Sequence, residues 1–99
     1  FAYVTNRIFS NNVSVIDTST NTVVATVPVG TSPSGVAITP DGNFAYVTNL
    51  SSHNVSVIDT STNTVVTTVL VGNVPDAIAI TPDSSFAYVT NFSSNNVSV

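Results

Sequence analysis

Seven side chains in this 99-residue sequence carry charge or take it up readily near neutral pH: Arg7, His53, Asp17, Asp41, Asp59, Asp76 and Asp83. A metal shell needs several N, O or S ligands converging on one point, and a chain with one His, no Cys and no Glu supplies none. Acid–base catalysis needs two titratable groups with complementary roles, and no such pair is spaced for it. Ser52 next to His53 could suggest a nucleophile and its base. Adjacent loop side chains point apart, however, and no G-x-S-x-G turn is there to present the serine. His53 therefore reads as a solvated loop residue. Asp41 and Asp83 follow Pro in "PDGN" and "PDSS", which is turn chemistry. Asp17 and Asp59 precede "TST", where a carboxylate accepts backbone N–H groups across a corner. The expectation is no catalytic residue, no cofactor and no metal within these residues.

The charge balance narrows the partners. A net charge of −4 with a single Arg gives no basic stripe to release counterions from a phosphate backbone, so nucleic acid is an unsuitable partner and anionic membranes repel the chain. No apolar run approaches the length of a spanning helix, so no membrane insertion is expected. Five Asn-x-Ser sequons, at Asn12, Asn49, Asn54, Asn91 and Asn96, are candidate glycosylation sites if the chain is secreted.

What must position these residues is a β-structure. Val, Ile and Thr supply 40 of the 99 residues, and their branched β-carbons suit pleated strands better than helices. The stretch "NVSVIDTSTNTVV" occurs at Asn12 to Val24 and again at Asn54 to Val66, and "FAYVTN" begins at Phe1, Phe44 and Phe86. Aligning Asn12–Asn49 with Asn54–Asn91 leaves nine differences, at 25/67, 28/70, 31/73, 32/74, 34/76, 35/77, 36/78, 42/84 and 43/85. Within one period the pattern predicts strands over Ser34–Thr39, Phe44–Asn49, Asn54–Thr60 and Thr64–Val71, separated by "PDGN", a short loop and "STN". Four short strands recurring every 40 to 45 residues, several of them apolar on both faces, stack as β-propeller blades. The fold class is all-β. The blades are of four antiparallel strands, about two and a half of them, in an incomplete ring: a partial blade over 1–33, a complete blade over 34–75 and a partial blade over 76–99.

"FAYVTN", "VSVIDTSTNTVV", "PVG", "LVG" and "AITPD" resemble the YVTN family of β-propeller repeats, whose relatives form surface-layer and other secreted proteins of archaea and bacteria. The resemblance covers the whole chain. It implies an extracellular or cell-surface scaffold or binding platform and no reaction.

The repeat also supplies its own comparison. Five of the nine differences, from 28/70 to 35/77, fall in or beside the connection from the fourth strand to the next first strand, and the connection from second to third strand varies too, as "RIFSN", "LSSH" and "FSSN". In an up-and-down sheet both connections emerge at one end, so variation gathers on one face of the ring. Arg7, Phe9, Ser32, His53, Val74 and Phe92 are the candidate binding face, for a carbohydrate or protein ligand. The functional expectation is a non-enzymatic extracellular structural or adhesion module. The alternative is a blade segment of a larger lactonase-like or quinoprotein-like propeller enzyme whose catalytic residues lie outside the chain.

Phe44, Tyr46, Phe86 and Tyr88, with Val47 and Val89, are expected to be mostly buried between blades. The opening strand lacks an inner neighbour and the final strand an outer one, so further copies, or the rest of a longer repeat chain, are the expected partners, through self-assembly at open strand edges. Cross-β stacking is the rival architecture, disfavoured by turn signals every 8 to 12 residues.

Overall fold

A computed structural model describes residues 1–99 as ten strands without a helix: β1 (Ala2–Asn6), β2 (Asn12–Asp17), β3 (Thr22–Pro28), β4 (Pro33–Ile38), β5 (Phe44–Asn49), β6 (Asn54–Asp59), β7 (Thr64–Leu70), β8 (Pro75–Ile80), β9 (Ala87–Asn91) and β10 (Asn96–Ser98). They form three antiparallel sheets in the orders β1-β2-β3, β4-β5-β6-β7 and β8-β9-β10. Inner strands of neighbouring sheets lie together, β1 on β4 and β4 on β8, while the outer strands β3 and β7 barely touch. The sheets thus radiate like blades, as an arc and not a closed ring. This is a partial β-propeller.

The repeat extends to its irregularities. Register shifts lie between Val15 and Ile16 and again between Val57 and Ile58, and between Pro33 and Val36 and again between Pro75 and Ile78. A bulge re-aims the side chains beyond it, so its recurrence keeps every blade's apolar set facing the same way.

Period-two alternation decides what is buried. The first sheet presents Val13, Val15 and Val27 to Ala45, Val47 and Ile58 of the second, and these six form the buried core, edged by Tyr3, Ala25, Val29 and Val36. Burying a side chain of this size contributes about 1.5 to 3 kcal/mol relative to leaving it in water. The second sheet turns its other face, with Tyr46, Val55 and Val69, toward Ile78, Ala87 and Val89 of the third.

The expected burial of the aromatics needs correction. Val47 and Val89 are buried and Tyr46 is half-buried, but Phe44 is 37%, Tyr88 46% and Phe86 57% exposed. Tyr88 repeats Tyr46 on the third sheet, whose corresponding face is uncovered; Phe44 and Phe86 sit at strand ends beside the turns. An apolar side chain is buried only where a neighbouring blade reaches it.

Polar contacts lock adjacent blades. Thr5 Oγ1 donates to the carbonyl of Ser34 at 3.0 Å and Thr48 Oγ1 to the carbonyl of Asp76 at 3.1 Å, so the threonines of the first two "YVTN" motifs fasten their strands to the innermost strand of the next blade. The Asn that ends the motif is buried in the second and third copies. Asn49 Nδ2 donates to Asn54 Oδ1 and Ser56 Oγ, both at 2.8 Å, and packs against Gly30, where a Cβ would come within 2.6 Å of Asn49 Cγ. Asn91 and Gly72 repeat the arrangement. The glycines of "PVG" and "LVG" are required by this close approach.

Candidate functional site

Four of the five carboxylates are fasteners of their own turns. Asp17 Oδ1 accepts from the Ser19 hydroxyl at 2.6 Å and its N–H at 2.9 Å, and Asp59 does the same with Ser61. Asp41 accepts from Thr39 Oγ1 at 2.6 Å and the Asn43 N–H at 2.9 Å, and Asp83 from Thr81 and Ser85. In each, the side-chain hydrogen bond, followed by the backbone one, holds the carboxyl below the ordinary aspartate range. Asp76, at the start of β8, belongs to no such turn.

At the opposite end the two families of loops are zipped together. Leu50 N–H donates to the Ser32 carbonyl at 2.9 Å and Ser51 N–H to the Thr31 carbonyl at 3.2 Å; Phe92 and Ser93 donate to Val74 and Asn73 at the same distances. Ser52 Oγ accepts the Thr31 N–H at 2.8 Å and Ser94 Oγ the Asn73 N–H at 2.8 Å. All six residues of the candidate face lie at this end. His53 is exposed, but its Nδ1 accepts the Val74 N–H at 3.1 Å, which requires the proton on Nε2. Val74, with φ 56, is a β-branched residue in the left-handed region, held there from both sides by His53 and Phe92.

Arg7, Phe9 and Ser32 share an open recess of about 650 Å³ with Ile8, Asn11 and Thr31, three residues that sequence reasoning does not single out. A signal for them exists: the loop Arg7–Asn11 is one residue longer than its two counterparts. Two groups therefore emerge, Arg7–Phe9–Ser32 around the recess and His53–Val74–Phe92 around the second loop.

The sequons divide. Asn49 and Asn91 are 0% and 2% exposed with their amide nitrogens donating hydrogen bonds, which removes them as glycan acceptors in the folded chain. Asn12 and Asn54 are half-buried and Asn96 is exposed. A second, largely apolar cavity of about 340 Å³ opens between the second and third sheets, lined by Tyr46, Val55, Val69, Leu70, Phe86 and Val89 among others.

Residues 1–85 match the description "YNCE-like beta-propeller". The chain belongs to the YNCE-like β-propeller family. Its radiating antiparallel sheets, one of four strands and two of three, fit that membership. Among solved structures, this YNCE-like chain is similar to the Kuenenia stuttgartiensis hydrazine synthase, with 36% identity and a TM-score of 0.87 over 90% of this chain and 25% of that one. A putative 6-phosphogluconolactonase from Bacteroides fragilis shares the fold at 23% identity and a TM-score of 0.82, over 96% of this chain and 30% of that one. The dihydro-heme d1 dehydrogenase NirN shares it at 22% identity and a TM-score of 0.77, over 91% of this chain and 19% of that one. This chain thus spans a third or less of each of these proteins. Among curated proteins none matches.

Proposed function

We propose that this chain is a run of blades in the wall of a larger propeller protein that is an enzyme or works beside one, with the reacting groups supplied from outside residues 1–99. The observation that carries this reading is the 36% identity and TM-score of 0.87 to part of a hydrazine synthase. The likenesses to a putative lactonase and to NirN support the fold of such a wall. The chain's own part is mechanical: it holds a loop face in register from blade to blade.

A second reading, a non-catalytic extracellular scaffold or adhesion module, is favoured by one specific arrangement. Four of the five carboxylates serve as turn fasteners, and His53 Nδ1 is committed to the Val74 N–H, so these side chains have structural partners in place of a substrate. The test is the structure of the natural full-length protein, purified from its source with whatever binds to it. The preferred reading expects residues 1–99 as adjoining blades of a ring completed by other parts of the same polypeptide, with any reacting group held elsewhere. A ring built only from copies of residues 1–99, or a reacting group held by these residues, would overturn it.

A further inference from the structure

The repeat is broken in one place, and the break carries unusual chemistry. The loop Arg7–Asn11 has five residues where its counterparts Leu50–His53 and Phe92–Asn95 have four. It holds the chain's only Arg. It also holds Phe9, whose side chain is fully exposed at 101% and whose backbone sits at φ 70. The other left-handed positions at this end, Asn11, His53 and Asn95 with Ser32 and Val74, recur from blade to blade, whereas Phe9 has no counterpart. A bulky aromatic left in water in a disfavoured backbone region adds nothing to the fold, and such outliers gather at binding sites.

The surrounding groups define what such a site would take. Arg7, Ile8, Phe9 and Asn11 of the long loop line the open recess together with Thr31 and Ser32 of the next connection. Asn11 Oδ1 already accepts the Ser32 N–H at 3.1 Å, which leaves its Nδ2 donor without a protein partner; the Thr31 N–H is likewise taken by Ser52. Four of the five carboxylates are bound in their own turns and Asp76 lies in the third sheet, so none competes for the Arg7 guanidinium. A planar fork that pairs with a carboxylate, an aromatic face for an apolar C–H surface, and short hydroxyl and amide side chains for ring hydroxyls together match one ligand chemistry. We propose that this recess is a subsite for a carboxylate-bearing sugar unit of an acidic glycan. A polyphosphate ligand fits less well, because a single cation among five carboxylates cannot balance it.

This subsite does not depend on the enzyme-wall reading, and it is tested separately. Isothermal titration calorimetry of the natural full-length protein with tetragalacturonate is expected to give a dissociation constant on the order of 1 mM or tighter, as suits an open subsite. The methyl ester of the same oligosaccharide, which keeps the hydroxyls and lacks the charge, should bind at least tenfold more weakly. Arg7→Gln and Phe9→Ala should each weaken tetragalacturonate binding about tenfold, and replacing residues 7–11 by the "LSSH" of the second loop should abolish it; circular dichroism would confirm an unchanged fold. Equal binding of the acid and its ester, undiminished binding by Arg7→Gln, no heat with tetragalacturonate, or tighter binding of AMP than of the sugar acid would each refute the proposal. The ester comparison needs no variant, so the test stands even if the loop exchange fails to fold.

Discussion

His53 Nδ1 accepts the backbone N–H of Val74 at 3.1 Å, in the place where Asn11 Oδ1 accepts the N–H of Ser32 at the same distance. One residue position, occupied by an imidazole in one blade and an amide in another, holds the entry to the next blade's first strand against the preceding loop. The chemistry shared by the two side chains is an acceptor at the right reach. Charge and acid–base capacity play no part in it.

Substitution at this position separates a structural from a chemical role. His53→Asn should leave stability nearly unchanged, while His53→Ala should cost about 1 kcal/mol, the usual net worth of one hydrogen bond. Urea denaturation followed by circular dichroism reads the difference as a shift in midpoint. A His53→Asn variant as unstable as His53→Ala would show that the imidazole does something more than accept.

Acid should act through the four turn carboxylates. Their folded-state pKa values lie below the ordinary aspartate value of 3.8, so the unfolded chain binds protons first as pH falls. The stability they contribute is fully present above that value and is lost as pH drops through the folded-state values. Through these four groups, melting temperature should therefore fall below about pH 4 and not between about pH 7 and pH 5. Asp17→Asn, Asp41→Asn, Asp59→Asn and Asp83→Asn combined keep an acceptor oxygen and remove the titration. That variant should show a much flatter melting profile between about pH 4 and pH 2, and a profile as steep as the parent's would assign the acid sensitivity elsewhere.

Much of this architecture is legible in the sequence because local and global signals agree. The strand Phe44–Asn49 has the bounds that the sequence predicts, since alternation, the preceding "PDGN" and the repeated motif all point the same way. Burial of the aromatics departs from expectation for a physical reason. Alternation shows that Phe44, Tyr46 and Thr48 share a face, but not which faces find a neighbour, and Tyr88 is half exposed because no sheet covers its side. The bond from His53 to Val74 spans 21 residues and exists only because the loops of adjacent blades zip together, so no local pattern marks it. Its one trace is Asn11 and Asn95 at the matching positions of the other loops.

The glycines offer a sharper test of blade packing. Gly35 of the second sheet becomes Ala77 in the third, and the structure explains why: a Cβ at Gly35 would lie 2.8 Å from the carbonyl oxygen of Asp76 in the next blade, whereas no further sheet faces Ala77. Gly30 is tighter still against Asn49. Gly30→Ala should destabilise by about 1 to 3 kcal/mol through overpacking. Gly42→Ser should cost only about 1 kcal/mol, from backbone strain alone, because nothing lies near Gly42 and Ser84 already adopts φ 63 in the matching turn. If both variants melt together, the Gly30–Asn49 contact does not carry the packing assigned to it.

The two outer sheets leave faces open that are copies of faces closed elsewhere in the molecule. On the first sheet Val4 and Val23 are 43% and 59% exposed, although their counterparts Val47 and Val65 face the preceding sheet and are 0% and 37% exposed. On the third sheet Tyr88 and Val97 are 46% and 52% exposed, where Tyr46 is half-buried and Val55 is 3% exposed against the next blade. The leading face of one molecule thus repeats the surface that the trailing face of another is shaped to receive, and apolar area of this kind favours association. Because the two faces differ, a contact between copies would be head-to-tail and would lead to rings or to open filaments according to the rotation per step. The 99-residue chain on its own should therefore sediment as species larger than its 10.2 kDa, growing with concentration. Val4→Lys combined with Tyr88→Lys places two cations on the mating faces and should shift the distribution toward monomer, since a charge desolvated without a partner is costly. A concentration-independent monomer with a cooperative melt, before any substitution, would show that these faces tolerate water and that the blade-to-blade match between copies has no force.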